Sequence, residues 1–184
     1  MPKGSWGSSC DCLVIEQAFK HCHKDYGELL CYIHNGFYFY KIGGFILKQY
    51  RLADLHTGDT ASITKLFSEA DVLGYAAVSG DSNPVHLDEE YAKTTLFKTR
   101  IVHGMLVGGL FSSIFGTIMP GIGTIYTFQS LKFTKPVFIN DTITATVIVK
   151  EMILEKNRVI FDCTAINQNN EVVIVGEAQL MPPR

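Results

Sequence analysis

Residues Gly104 to Met119 form a stretch that is apolar nearly all round, with Met105, Leu106, Val107, Leu110, Phe111, Ile114, Phe115 and Ile118 leaving it no polar face. A helix of that kind must be covered on every side. It falls short of the ~20 residues of a membrane span, and it carries Ser112, Ser113 and Thr117. It therefore reads as a core helix, ended by Pro120-Gly121. Four strand-like runs follow, at Ile125–Phe133, Asp141–Ile153, Arg158–Ile166 and Val172–Met181. Asn140-Asp141, Lys156-Asn157 and Asn169-Asn170 mark turns between them. Consecutive strands with short connections read as an antiparallel meander. The expected class is α+β, an antiparallel sheet curled around one buried helix.

Upstream, Ala61 to Phe67 alternates as a strand does. Ser68 followed by Glu69 and Asp71 is an N-cap with acids in the first turn, where the helix dipole favours them. The helix predicted through Val78 stops at Gly80. Asp81 to Asp88 reads as a loop held by Pro84, Glu89 to Thr95 as a short helix and Phe97 to Val102 as a connector.

The first fifty residues differ from the rest. They hold Cys10, Cys12, Cys22 and Cys31, four of the five cysteines, together with His21, His23 and His34. The spacings do not form paired zinc knuckles, so no metal site is expected. Leu13 to Lys20 could start a helix, and Asn35-Gly36 between two apolar runs predicts a tight hairpin. The expected organisation is an extension over 1–50, of no assigned role, and a domain over 51–184.

Composition narrows the partners. A net charge of −2 on 184 residues gives no bulk attraction to nucleic acid. Charged residues make up 18%, below the usual ~25%, which suits a surface partly covered by a second subunit. Met1 to Cys12 lacks a charged-then-apolar leader and the first arginine is Arg51. The expectation is a cytoplasmic protein without a membrane segment.

Two segments could carry chemistry. In Ser79-Gly80-Asp81-Ser82-Asn83-Pro84-Val85-His86 an acid and an imidazole lie five residues apart on a turn-rich loop, with a proline restricting the backbone between them. Such a pair can orient a water molecule and exchange protons with it. The spacing alone leaves a second reading open, an aspartate capping a turn beside a surface histidine. Ile101-Val102-His103-Gly104-Met105 leads into the apolar helix, whose first N–H groups lack internal partners. The Gly104 N–H could hydrogen-bond a substrate carbonyl as negative charge develops there, or the glycine could simply permit close packing.

Together these motifs resemble the MaoC-like (R)-specific enoyl-CoA hydratases, the type 2 hydratases. The likeness covers roughly Asp59 to Pro183 and continues through Gly123 to Phe133, Pro136 to Thr144 and Gly176-Glu177-Ala178. It implies a hot-dog fold and a homodimer joined sheet edge to sheet edge, with active sites near the subunit interface. It also implies that Asp81 and His86 are the catalytic acid and histidine, and that the Gly104 N–H binds the thioester oxygen. Asn83 would shape the loop. Ser112 sits where the family has a serine near the catalytic pair, although a serine in a buried helix also bonds back to a carbonyl one turn earlier. The reaction implied is reversible hydration of a trans-2-enoyl thioester to the (R)-3-hydroxyacyl thioester. It needs no cofactor, and coenzyme A, or an acyl carrier protein, is the substrate's carrier. An anionic carrier calls for basic groups at the tunnel, with Lys98, Arg100, Lys132 and Lys135 as candidates and Tyr126 and Phe128 as wall residues. The competing functions are a hot-dog acyl-CoA thioesterase and a non-catalytic acyl-CoA-binding module.

Overall fold

The computed structural model describes residues 30–34, 37–42 and 45–184. The expected helix start at Leu13–Lys20 and Cys10, Cys12 and Cys22 lie outside the described residues. By its backbone contacts the chain divides into residues 1–48 and 49–184.

In the first unit a three-stranded sheet has the order β1 (Leu30–His34), β2 (Phe37–Ile42), β3 (Phe45–Gln49). β1 and β2 are antiparallel with His34 opposite Phe37. Only residues 35–36 separate them, the two-residue spacing that Asn-Gly favours.

The second unit is built on a five-stranded antiparallel sheet. Its strands are β4 (Thr60–Leu66), β5 (Ile125–Phe133), β6 (Thr142–Ile153), β7 (Arg158–Ile166) and β8 (Val172–Met181), in the order β4-β6-β7-β8-β5. The meander expectation holds for β6, β7 and β8 only. β5 pairs with β8 rather than with β6, so the chain crosses from one sheet edge to the interior beside the other edge. Asn140, Asn157 and Asn170 all adopt positive φ at the turns, a conformation that asparagine tolerates better than most residues.

Four helices complete this unit: α1 (Glu69–Ser79), α2 (Pro84–Leu87), α3 (Glu89–Thr94) and α4 (Gly104–Thr117). The segment expected as loop therefore contains one helical turn. Asn83 caps it by accepting from the Val85 N–H, and Pro84 occupies its first position, where a missing N–H does no harm. A second single turn, of 3-10 type, covers Leu52–Asp54. Ser68 caps α1 in a reciprocal box with Asp71, and Gly80 ends the helix in the left-handed region at φ 77.

α4 packs its buried face, Val107, Leu110, Phe111, Ile114 and Phe115, into the sheet. Alternate residues of β6 (Ile143, Ala145, Val147, Val149) and β7 (Val159, Phe161, Cys163, Ala165) meet it. Each large side chain so buried stabilises the fold by roughly 1.5–3 kcal/mol. This is the curled sheet around a helix that the sequence predicts, the hot-dog arrangement. Two details differ. The helix ends at Thr117 rather than Met119, and it is not covered all round: Met105, Gly109, Ser112 and Gly116 form an exposed stripe on one face. Among the described residues no helix is long and apolar enough to cross a membrane.

Close approach explains Gly176. A Cβ there would sit 1.9 Å from the Ser130 carbonyl oxygen of β5. Only glycine lets β8 and β5 pair at this point, so a side chain must push the strand that carries Phe133 away from the sheet.

The Ser68–Asp71 box also ties α1 to β4, because Lys65 Nζ lies 2.9 Å from Asp71 Oδ1. That contact, followed by the bonds from Ser68, holds the Asp71 carboxyl down at about 2. The folded value lies below the unfolded one. The contribution is therefore full above the unfolded value of 3.8 and is lost as pH falls through about 2. Ser68→Ala should lower stability to urea by ~1 kcal/mol at neutral pH. The stability gap between wild type and Asp71→Asn should close as pH falls through that window.

Candidate active site

The segment 101–104 organises the site. Ile101 receives α2 at two points: its N–H donates to the Val85 carbonyl (3.3 Å), and its carbonyl oxygen lies 2.8 Å from His86 Nδ1. Val102 donates to the Val137 carbonyl at 2.7 Å, fixing the same segment to the residues before β6. A carbonyl only accepts, so His86 carries its proton on Nδ1 and keeps a lone pair on Nε2. His86 is only 9% exposed. Burial pushes its pKa below the ordinary 6.5; the bond to Ile101 and the nearby Asp81 oppose this, while His103 adds to it. The buried histidine replaces the surface histidine of the alternative reading.

Asp81 lies directly after the Gly80 cap. Its N–H donates to the Ser79 hydroxyl oxygen at 3.1 Å, and its Oδ1 accepts from the Asn83 N–H at 3.3 Å. It does cap a turn, and its side chain remains exposed. Turn-capping and a chemical role are thus compatible here. Asp81, His86 and His103 each offer one ligating atom, all within 4.8 Å of one another. His103 Nε2 lies 3.0 Å from the Asp81 carbonyl oxygen, and its ring stacks on His86 at 3.8 Å and 26°.

These three residues and Gly104 line one cavity of about 440 Å³, whose other walls include Phe97, Met105, Phe133, Val173 and Ile174. The cavity is mostly apolar apart from this polar end, Thr134 and Lys135, a form suited to an acyl chain with one reactive group. The Gly104 N–H opens α4 and has no partner among the described residues. A Cβ on Gly104 would meet the Phe133 ring at 2.8 Å, and one on Gly108 would meet Leu131 at 2.8 Å. Gly104 permits close packing of α4 on β5, and its amide lies free beside the cavity.

The other expected residues separate. Asn83 shapes the loop. Ser112 is exposed on the stripe of α4 and has no hydrogen bond from its hydroxyl among the described residues; the back-bond belongs to Thr117, whose hydroxyl donates to the Ser113 carbonyl. Of the basic candidates only Lys135 lines the cavity, and it is paired with Glu171. Arg100 is tied to Glu69 and Glu89, with its side chain 19% exposed, and it lines a separate polar hollow. Lys98 and Lys132 are exposed and line neither. Tyr126 and Phe128 lie on edge strand β5 outside the cavity wall. The sequence reading gives His103 no role of its own. Its signal is a histidine placed directly before a wholly apolar helix, where a solvated side chain has no room.

Nuclear magnetic resonance titration of the histidines should show His86 protonating below pH 6.5, with Nδ1 protonated in its neutral form. His86 binds fewer protons folded than unfolded, so its contribution lowers stability as pH falls below 6.5.

Residues 53–170 match the MaoC like domain. The (R)-specific enoyl-CoA hydratase of Rhodospirillum rubrum is 50% identical over 130 residues, 71% of this chain and 90% of that protein. The 3-hydroxybutyryl-CoA dehydratase of Methylorubrum extorquens is 43% identical over 131 residues, 71% of this chain and 83% of the relative. Among solved structures, R-hydratase PhaJ1 from Pseudomonas aeruginosa superposes with a TM-score of 0.69 at 46% identity, covering 73% of this chain and 86% of its own. The (R)-hydratase of Aeromonas caviae gives 0.68 at 41% identity, covering 70% and 98%. With the fold, the acid–histidine loop and the helix start all in place, the chain belongs to the MaoC-like family.

Proposed function

We propose that this chain is a hydro-lyase that reversibly hydrates trans-2-enoyl-CoA to (R)-3-hydroxyacyl-CoA. The observation that carries the reading is the meeting of the Asp81 carboxylate, the His86 imidazole and the free Gly104 N–H at one end of an apolar cavity. The relatives named above support the substrate class.

The chemistry follows from those groups. The thioester oxygen accepts a hydrogen bond from Gly104 N–H, which draws electrons from the conjugated double bond and leaves C3 electrophilic. A water molecule donates to the Asp81 carboxylate and to His86 Nε2. Its oxygen bonds to C3 as it gives up one proton to this pair. The electron pair moves through C2 to the thioester oxygen and returns as C2 takes a proton, so water adds across the double bond with no net gain or loss of protons. Dehydration reverses each step. His86 suits the role because burial keeps it neutral, with a lone pair available. Coenzyme A enters as the substrate's carrier, and Lys135 is the cation placed to meet its charge.

The same proposal includes a homodimer. β5 pairs on one side only and leaves a nine-residue edge on which Ile125 (52%), Phe128 (52%) and Phe133 (49%) are exposed. An apolar free edge of this length is a template for another strand. A second copy on it would also cover the exposed stripe of α4 and the flank of the cavity formed by Met105 and Phe133. Sedimentation equilibrium should give twice the chain mass of 20.5 kDa; a monomer mass would remove this part of the proposal.

Purified protein incubated with crotonyl-CoA should lose enoyl absorbance without releasing thiol. Thiol release would indicate hydrolysis instead, and no change in either signal would indicate a binding module. Asp81→Asn and His86→Ala should each lower turnover by ~10²–10⁴-fold, with unchanged thermal stability for the exposed Asp81.

A further inference from the structure

His103 is 2% exposed, and its surroundings leave it little freedom. It is the N-cap residue of α4, yet its side chain makes no capping bond to that helix. Instead Nε2 reaches the main-chain carbonyl of Asp81 at 3.0 Å. Because a carbonyl cannot donate, the neutral ring carries its proton on Nε2 and leaves Nδ1 bare. Nδ1 is buried with no partner. One face of the ring lies against His86 at 3.8 Å, and Tyr75 of α1 packs at 4.9 Å. Among the described residues, the titratable groups set against this ring are His86 of α2, Asp81 before it and Tyr75 of α1, with Lys135 lining the same cavity.

A cap residue that ignores its own helix and leaves a ring nitrogen unsatisfied is poorly explained as packing alone, where an apolar ring would do better. Its contacts divide between the backbone of the acid and the face of the base. We propose that His103 is a positioning residue for hydration, holding the Asp81 main chain through its Nε2–H and the His86 ring through stacking. The inference rests on the functional reading above. Because His103 directly precedes Gly104, one short segment sets the acid, the base and the oxygen-binding amide relative to one another. A displacement of about 1 Å among such groups can lower a rate by ~10²-fold.

Three variants separate the two contacts: His103→Phe keeps a flat ring without the donor, His103→Gln keeps a donor without the ring, and His103→Leu has neither. With crotonyl-CoA, His103→Leu should lower kcat by ~10–10²-fold with KM little changed. The Phe and Gln variants should fall between it and wild type. Long-range proton–nitrogen spectra of the wild-type protein should place the His103 proton on Nε2, a readout that does not depend on any variant folding. A folded His103→Leu variant with wild-type kcat would overturn the proposal, as would a proton found on Nδ1. Asp81→Asn, assayed alongside, keeps the two claims apart. If it retains full turnover the functional reading itself fails, whereas a crippled Asp81→Asn beside a fully active His103→Leu removes only the role of His103.

Discussion

Ile101 grips the loop that carries the chemistry at both of its backbone polar groups, the N–H on Val85 and the carbonyl on His86. Much depends on this clamp. It makes His86 a donor through Nδ1 and so leaves Nε2 as the basic nitrogen. It also fixes the distance between the histidine turn and the start of α4, three residues further along. Without it, a four-residue helix such as α2 has no internal means of holding its orientation, since helices this short are unstable alone.

The clamp is rigid because the core makes it so. α4 buries five large or branched side chains against β6 and β7, and this packing sets where its first turn emerges. Gly104 and Gly108 then let the helix approach Phe133 and Leu131 of β5 closely. At the far side of that strand, Gly176 allows β8 to pair with it. Three glycines thus determine how near the amide end of α4 comes to the cavity wall. The site lies where packing is tight on one side and the sheet edge is open on the other. Such a location combines a fixed placement of Asp81, His86 and Gly104 with an open approach to them.

Much of this was legible in the sequence, for physical reasons. The apolar run after Gly104 announced a core helix, and Ser68, Asp71 and Gly80 spelled out the start and stop of α1 through their caps. The Asp81–His86 spacing and the glycine at a helix start marked two segments that the fold brings to one cavity. What stayed hidden depends on contacts between distant residues. No local pattern says that β5 pairs with β8 instead of β6, because strand order follows from which edges are satisfied across the whole sheet. Arg100 reads as a free cation until Glu69 and Glu89 are seen beside it. Ser112 sits on a helix that looks uniformly buried, but only the packed structure reveals the exposed stripe of Met105, Gly109 and Gly116 around it. His103 is the opposite case, an ordinary polar residue in the sequence that proves to lie against the ring of His86.

The most direct test of the central claim is a crystal structure of the Asp81→Asn variant with crotonyl-CoA bound. The account predicts the thioester oxygen at hydrogen-bond distance from the Gly104 nitrogen, ~2.7–3.2 Å. It also predicts C3 turned toward a water molecule held between residue 81 and His86 Nε2. An acyl group seated elsewhere, or a thioester oxygen pointing away from the start of α4 in every copy, would contradict it.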